Sequence, residues 1–211
     1  RYGYDLLGRL VSVTVVERND VPLTTPEVTE YRYDLMGNLD KVRLPNEVVS
    51  DYTYDPLNRL TQLKTFNDDY ASGTDWVFDA ANENLLAQFD YDLLADGKRS
   101  GATEIDDADQ ETRIDWFYDQ LGRLSREVYD SPDNSLDFTA DYVMDLVGNR
   151  LAKKTDSQPT AQQLADYRTG AAMSSGNVDE AIASIFDAND RLLREFKDVA
   201  GTENDTTTLY E

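Results

Sequence analysis

Hydrophobic and polar residues alternate over short stretches of this chain, and the pattern is clearest in the stretch that begins at Tyr52. Tyr52 and Tyr54 are two residues apart, so both side chains project from the same face of an extended strand. Asp55 opens a turn because its carboxylate can accept hydrogen bonds from the following backbone, and Asn58 tolerates the left-handed conformation that closes the turn. Leu60 begins a return strand. The stretch therefore predicts a β-hairpin.

The same pattern recurs along the chain, with an aspartate in each turn as its anchor. The anchors are Asp5, Asp34, Asp55, Asp79, Asp92, Asp119, Asp145 and Asp187. In all but one unit, a residue type that tolerates a positive φ follows three positions later: Gly8, Gly37, Asn58, Asn82, Gly122, Gly148 and Asp190. In the unit anchored at Asp92, the glycine is Gly97 and comes two residues late, which predicts a longer turn.

Aromatic residues stand one and three positions before the anchors. All but two of these positions are aromatic in a chain that is 10% aromatic, so the repeat does not arise by chance. The set is Tyr2, Tyr4, Tyr31, Tyr33, Tyr52, Tyr54, Trp76, Phe78, Phe89, Tyr91, Trp116, Tyr118, Tyr142 and Phe186. If the hairpins pair side by side, these rings are expected to form an aromatic ladder on one face of a sheet, and each cross-strand aromatic pair adds about 0.2–1 kcal/mol.

The periodic units predict an all-β fold of repeated antiparallel β-hairpins. A lone hairpin is marginal in water, so the units are expected to pair edge to edge, and strand twist is expected to coil the resulting ribbon. Residues 1–211 are interpreted as a single array of about eight hairpins, an excerpt of a larger protein, with irregular insertions near 96–112 and 153–177. A short helix is predicted over 161–168, with Thr160 as its N-cap and Gly170 after its end.

Composition narrows the possible partners and chemistry. The 211-residue chain has 42 acidic and 20 basic residues, a net charge of −22, which disfavours nucleic acid and anionic membrane as partners. It has no cysteine and no histidine, which excludes disulfides and any metal or nucleophilic site built on those residues. No apolar run is long enough for a transmembrane helix, and no membrane insertion is expected.

Carboxylates are the reactive group in excess, and two roles for them are possible: Ca²⁺ binding and catalysis. Alternating carboxylates at 106–111 resemble a Ca²⁺ loop but lack the central glycine and distal glutamate of an EF-hand, so a solvated acidic loop is favoured. The anchor aspartates have a sufficient role in their turns, and a catalytic residue does not recur in the same local context in every repeat. No catalytic residue, metal site or cofactor is therefore predicted.

The repeated motif Tyr-x-Tyr-Asp-x-x-Gly-Arg-Leu resembles that of the RHS/YD-repeat family, which includes bacterial polymorphic toxins, insecticidal toxin-complex subunits, wall-associated proteins and the animal teneurins. Tyr2–Leu10 and Trp116–Leu124 match it closely. The resemblance implies a ribbon that wraps into a hollow shell in full-length relatives, and a secreted or cell-surface protein of bacteria. Self-cleaving members carry Asp-Pro-x-Gly-Leu after the repeats, and the sequence from Asp55 to Asn58 lacks that pattern.

Two functional hypotheses follow. The first is a non-enzymatic structural segment whose β-ribbon wall encloses or presents a tethered, toxin-like C-terminal domain, with neighbouring repeats as its partners. The alternative is a carbohydrate-binding or adhesive module, in which Trp76 or Trp116 stacks on a glycan, as the family resemblance implies. Because both tryptophans occupy the slot that tyrosine fills in other units, a core role is favoured for them.

Overall fold

The computed structural model describes residues 1–67, 76–78, 84–173, 178–199 and 206–209. The chain divides into two compact units, one formed by Arg1–Lys98 with Thr103–Gln110, and the other by Arg99–Ala102 with Glu111–Glu211. In both units the described secondary structure consists almost entirely of antiparallel strands. The predicted all-β fold of repeated hairpins is thereby confirmed, whereas the coiling of the ribbon stays a prediction.

In the first unit, seven strands pair in chain order, each with the next. They are β1 (Tyr2–Tyr4), β2 (Leu10–Arg18), β3 (Val21–Tyr33), β4 (Leu39–Arg43), β5 (Val48–Tyr54), β6 (Leu60–Asn67) and β7 (Asn84–Leu93). Strand β8 (Arg99–Asp106) contributes its first half to the second unit and its second half to the first. Chain-order pairing needs no crossover, so each β-hairpin forms from local sequence.

In the second unit the strands also pair in chain order. They are β9 (Glu111–Tyr118), β10 (Leu124–Asp130), β11 (Phe138–Met144), β12 (Arg150–Ser157), β13 (Glu180–Phe186), β14 (Leu192–Val199) and β15 (Thr206–Leu209). A 3-10 turn (Asn134–Leu136) joins β10 to β11, and helix α1 (Ala161–Arg168) lies between β12 and β13.

Helix α1 has the bounds and the cap that the sequence predicts. The Thr160 hydroxyl accepts a hydrogen bond from the backbone N–H of Gln163, and the Gln163 side chain accepts one from the backbone N–H of Thr160. This reciprocal pair satisfies two N–H groups at a helix start. Gly170 has a φ of 92°, the left-handed conformation that ends helices.

The buried apolar core of each unit is small and lies where a connecting segment covers one face of the sheet. In the first unit Val49 and Phe66, which face each other across β5 and β6, are covered by Trp76. In the second unit Val128 on β10 is covered by Leu164 and Tyr167 of helix α1. The Tyr167 hydroxyl donates a 2.6 Å hydrogen bond to the buried carboxylate of Asp156, whose pKa is raised by burial.

The predicted fourth hairpin does not form at Trp76 and Phe78. Neither residue lies in a strand, and β6 pairs directly with β7. Trp76 has a φ of 60°, is 3% exposed, and carries the guanidinium of Arg32 3.7 Å from its ring centre. Two aromatic residues at strand spacing therefore serve as a cover for the sheet rather than as part of it. The turn residues predicted for this unit, Asp79 and Asn82, lie outside the described residues.

The interpretation of 96–112 as an irregular insertion was wrong. Strand β8 runs through its middle, and a tight turn over Asp106–Gln110 leads straight into β9. The segment after β12 does depart from the hairpin pattern, since helix α1 stands there. The proline-containing stretch after Asn19 is strand from Val21 onward. Asn19 and Asp20, with φ of 51° and 63°, make a two-residue turn there.

Candidate functional site: the hairpin corners

Most of the described repeat units turn through a five-residue segment, here called a corner, that begins at the anchor aspartate. Six described anchors start such corners: Asp5, Asp34, Asp55, Asp119, Asp145 and Asp187. In the corner of Asp5, its backbone N–H donates to the carbonyl oxygen of Arg9 at 2.9 Å, and the N–H of Gly8 donates to the carbonyl oxygen of Asp5 at 3.0 Å. The other five repeat both bonds.

The aspartate carboxylate makes a second set of bonds inside the same corner. In the corner of Asp55, Oδ1 accepts hydrogen bonds from the backbone N–H groups of Leu57 (2.8 Å) and Arg59 (3.0 Å). Oδ2 accepts one from Nε of Arg59 at 2.7 Å. Asparagine replaces arginine in the corners of Asp34 and Asp145, where its Nδ2 donates to Oδ2. The carboxylate thus satisfies backbone N–H groups that the tight turn leaves without a strand partner.

The third residue after the anchor has a positive φ in every described corner. The angles are 79° at Gly8, 93° at Gly37, 61° at Asn58, 73° at Gly122, 105° at Gly148 and 62° at Asp190. A β-bulge adjoins each of these corners, where the register shifts by one residue between the two strands. A bulge with a left-handed residue is a common way to close short hairpins.

The corner at Gly97 corrects the sequence interpretation of the unit anchored at Asp92. Asp92 lies inside strand β7, and the corner begins at Leu94, whose N–H donates to the carbonyl oxygen of Lys98 at 2.8 Å. Gly97, with a φ of 89°, stands three residues after Leu94, so the turn is not longer than the others. The carboxylate of Asp96 accepts the N–H of Lys98 instead. The left-handed residue, and not the aspartate, therefore fixes the position of this corner.

Two further corners lie at the opposite ends of the strands. They begin at Leu44 and Asp106 and contain Glu47 and Asp109, with φ of 68° and 56°. The Asp106 carboxylate accepts the N–H groups of Ala108 and Gln110, both at 2.9 Å. Within the described ranges, no group of three or more carboxylates is placed to hold a metal ion. The spacing from Asp106 to a residue that tolerates positive φ was the signal that could have revealed this corner.

The aromatic positions differ in burial. Tyr2 and Tyr4 are exposed and Trp76 is buried; the half-buried members are Tyr31, Tyr33, Tyr52, Tyr54, Phe78, Phe89, Tyr91, Trp116, Tyr118, Tyr142 and Phe186. The return strand of a hairpin lies between the aromatic positions of successive hairpins, so that Leu63 stands between Tyr52 and Phe89. The rings of Tyr52 and Phe89 are therefore separated by a leucine and do not stack directly on each other. A stabilising aromatic ladder stays a prediction.

Three of the tyrosines next to an anchor have a second contact that sequence alone did not indicate. Each donates its hydroxyl to a backbone carbonyl oxygen at the start of a neighbouring return strand. The pairs are Tyr33 with Leu10 at 2.8 Å, Tyr54 with Leu39 at 2.9 Å, and Tyr118 with Arg99 at 2.7 Å. A phenylalanine at these positions has no hydroxyl, which explains why tyrosine is used there.

In several corners, the last residue also reaches the next corner. Nδ2 of Asn38 donates to Oδ1 of Asn58 at 3.0 Å, and Nδ2 of Asn149 donates to Oδ1 of Asp190 at 2.9 Å. Arginine uses its guanidinium instead: Nη1 of Arg59 donates to the carbonyl oxygen of Leu94 at 2.8 Å. Corners of successive hairpins are thus joined by side chains as well as by the sheet.

The arrangement of paired strands is similar to that of solved toxin structures. A crystal structure of TcdB2-TccC3-Cdc42 aligns with 98% of this chain, with a TM-score of 0.55 and 14% identity. TcdB2-TccC3-TEV aligns with a TM-score of 0.55 and 13% identity over 98% of this chain. The Tc holotoxin pore of Photorhabdus luminescens carrying TccC3-D651A aligns over 97%, with a TM-score of 0.52 and 14% identity.

The fold is similar to that of these toxin chains. This chain spans 11% of the length of each of the three chains. No protein-family model matches the sequence, and no curated protein sequence matches it. The structural likeness agrees in fold with the motif resemblance, which included toxin-complex subunits.

The electrostatics of four corners do not match what a general acid needs. At Asp5, Asp55, Asp119 and Asp187, the hydrogen bond from the backbone N–H of the corner's arginine is the main cause that holds the carboxyl pKa below its usual value. A general acid near neutral pH needs a raised pKa.

No helix in the described part of the chain is long and apolar enough to cross a membrane.

Proposed function

We propose that this chain is a non-enzymatic structural segment of a secreted or cell-surface RHS/YD-repeat protein. Its hairpins form part of a β-ribbon wall that encloses or presents a tethered, toxin-like domain. The observation that carries the proposal is the repeated corner, in which the carboxylate, the left-handed residue and the bulge recur together. The alignment with TcdB2–TccC3 chains over 98% of the sequence supports the same role.

The partners of the wall are, first, the neighbouring repeats of the full-length protein. The contacts between successive corners, such as Asn38 with Asn58, show how one hairpin holds the next. The second partner is the enclosed C-terminal domain. The carboxylates of the corners have hydrogen bonds within their own turns, as at Asp55, which supports a structural use rather than a reactive one.

Limited proteolysis of the complete gene product tests this role. The cleavage rate of the tethered domain is compared between the wild type and a Gly8→Val, Gly122→Val double variant. The two glycines have φ angles of 79° and 73°, which valine does not readily adopt. Loss of about 1–2 kcal/mol per corner is expected to increase opening, and so cleavage, about fivefold or more. Asn46→Ala, at an exposed turn, is the control. Equal cleavage in all three proteins contradicts enclosure.

The alternative function, a carbohydrate-binding module, depends on the cluster of Trp116, Glu127 and Tyr142. Trp76 is 3% exposed and cannot stack on a sugar in this fold. Trp116 is half-buried and lies opposite Glu127, whose carboxylate accepts Nε1 of Trp116 at 3.3 Å and the hydroxyl of Tyr142 at 3.4 Å. A ring beside a carboxylate is the type of surface on which a sugar can stack and bond.

A further inference from the structure

Two connecting segments of the second unit border a cavity of about 370 Å³, here called the connection cavity. One segment joins β10 to β11 and the other joins β12 to helix α1. They are held together by the backbone N–H of Gln158, which donates to the carbonyl oxygen of Asp137 at 2.8 Å. The wall of the cavity includes Asp130, Asp137, Pro159, Ala161 and Leu164. The volume lies in the range of small-molecule sites.

Asp137 places a buried carboxylate in this wall. The residue is 3% exposed, and its Oδ1 accepts the backbone N–H of Ser131 at 2.7 Å. Among the described residues, no group donates a hydrogen bond to Oδ2 and no cation pairs with this carboxylate. Buried carboxylates are almost always paired, because an uncompensated charge away from water is costly. Oδ2 is therefore available to a donor inside the connection cavity.

A second carboxylate stands beside the first. The ladder between β10 and β11 ends at the pair of Tyr129 and Phe138, and the next pair of positions in the same register is Asp130 and Asp137. Residues directly opposite each other on antiparallel strands have Cβ atoms about 4.5–5.5 Å apart, and like charges there destabilise the pair. The sequence thus places two negative groups side by side at one end of the cavity.

Positive charge from the chain compensates these carboxylates only in part. No wall residue of the connection cavity is basic. Nη2 of Arg168 lies 3.0 Å from Oδ2 of Asp130, but Nε of the same arginine donates to Asp115 at 2.7 Å. The start of helix α1 supplies about half an elementary charge. The balance at the cavity remains negative, so it favours a cation.

The shape and lining of the cavity select among cations. Within the described ranges, no group of three or more carboxylates is placed to hold a metal ion. A primary ammonium group needs fewer charged partners, since its three N–H donors can be shared between carboxylates and water. Pro159 and Leu164 form an apolar part of the wall, which suits an alkyl chain. The lining therefore fits an ammonium group with an apolar stem better than a bare ion.

We propose that the connection cavity binds a primary ammonium group on an unbranched alkyl chain. The ammonium donates to Asp137 Oδ2 and to the carboxylate of Asp130, and the chain lies against Pro159 and Leu164. A free alkylamine and the side chain of a lysine from another polypeptide both present this group. The site is independent of the wall-forming role, which depends on the hairpin corners.

Titration of the chain with n-butylamine, followed by backbone ¹H–¹⁵N chemical shifts, tests the site. The amide of Ser131 is the reporter, because it donates to Asp137. Asp137→Asn keeps an oxygen for that amide but removes the charge, and it is expected to weaken binding about tenfold or more. Asp107→Asn, at an exposed turn, makes the same change in net charge and should leave binding unchanged. Equal affinities in all three proteins overturn the proposal.

Matched ligands give a second measurement on the wild type alone. Butyltrimethylammonium keeps the charge and chain without N–H donors, and n-butanol keeps the chain without the charge. Both are expected to bind at least several-fold more weakly than n-butylamine. Butyltrimethylammonium that binds as tightly as n-butylamine, or Ca²⁺ that displaces n-butylamine at equal concentration, overturns the assignment.

Nα-acetyl-lysine methylamide distinguishes the two sources of the ammonium group. If it shifts the Ser131 amide as n-butylamine does, a lysine side chain can fill the cavity. A shift with n-butylamine alone assigns the site to a free amine. A chain that responds to neither ligand contradicts the site. That failure leaves proteolytic protection of the tethered domain, and thus the proposed function, unaffected.

Discussion

The hydroxyl of Tyr54 donates a 2.9 Å hydrogen bond to the backbone carbonyl oxygen of Leu39, and so attaches one hairpin to the hairpin before it. Tyr54 stands directly before the anchor of its own corner. A single residue therefore leads into one corner and bonds to the strand that follows the previous corner. The pKa of Tyr54 is raised by burial, which keeps the hydroxyl protonated as a donor. This contact gives the first of the predictions below.

Tyr54→Phe is expected to lower the free energy of unfolding by about 0.5–1.5 kcal/mol, because it removes the donor and leaves the carbonyl oxygen of Leu39 without that bond. Urea denaturation followed by circular dichroism measures the change. Tyr4→Phe is the matched control, since Tyr4 is 62% exposed, and it is expected to have little effect. Equal effects of the two variants argue against the hydroxyl as a link between hairpins.

Gly8→Val is expected to destabilise the chain by about 1–2 kcal/mol, because a β-branched residue must adopt the φ of 79° that this corner needs. A Cβ at Gly8 meets nothing within 4 Å, so the cost comes from backbone conformation and not from a clash. Gly8→Asn separates the two explanations: asparagine tolerates the left-handed region and is expected to cost less. Thermal midpoints of the three proteins make the comparison, and an unchanged midpoint in Gly8→Val contradicts the strain.

Acid is expected to weaken the corners. A carboxyl whose folded-state pKa is lowered contributes stability above its unfolded pKa, about 3.9, and loses it as the pH falls through the folded value. The urea midpoint should therefore fall as the pH drops below about 4. Asp55→Ala should lower the midpoint at pH 7 and have a smaller effect in acid, once the pH has fallen through the lowered folded-state pKa of the wild-type carboxyl.

Asp55→Asn serves as the control for that series. It keeps an oxygen that accepts the N–H groups of Leu57 and Arg59 but loses the ion pair with Arg59. Its midpoint at pH 7 should lie between those of the wild type and Asp55→Ala. A wild-type midpoint that does not change between pH 5 and pH 2 would falsify the assignment of these carboxylates to the turns.

The two tryptophans are expected to respond differently to replacement by alanine. Trp76→Ala should cost about 3–5 kcal/mol, because it removes the cover from Val49 and Phe66. Trp116→Ala should cost less, because its ring is half-buried. Chemical denaturation gives both values, and a glycan array gives the second readout. A glycan signal that disappears in Trp116→Ala while the fold is kept favours the carbohydrate-binding alternative.

Most of the hairpins were predictable because their signals are local. A ring pair, an acceptor side chain and a residue suited to positive φ lie within nine residues of sequence, and no distant contact is needed to place them. The error at Asp92 arose because the aspartate was taken as the anchor, whereas the backbone requirement belongs to Gly97. Leucine at position 94 loses only the carboxylate bonds, so a corner can form without aspartate.

The remaining differences depend on contacts that are distant in sequence. Nothing in the local pattern separates Trp76 and Phe78 from a strand, because burial over Val49 and Phe66 decides their conformation. The tyrosine hydroxyls and Asn38 contact neighbouring hairpins, and the local pattern does not indicate these contacts. They become visible only when the strand order and register are known.

Each corner closes its hydrogen bonds within five consecutive residues, as Asp55 does with Leu57 and Arg59. A gene that encodes such units can therefore gain or lose whole copies by duplication and deletion, since every new unit brings its own turn with it. Between the turns, mutation is free to change most strand residues so long as they remain suited to a sheet. Two chains of about 14% identity can in this way share a fold.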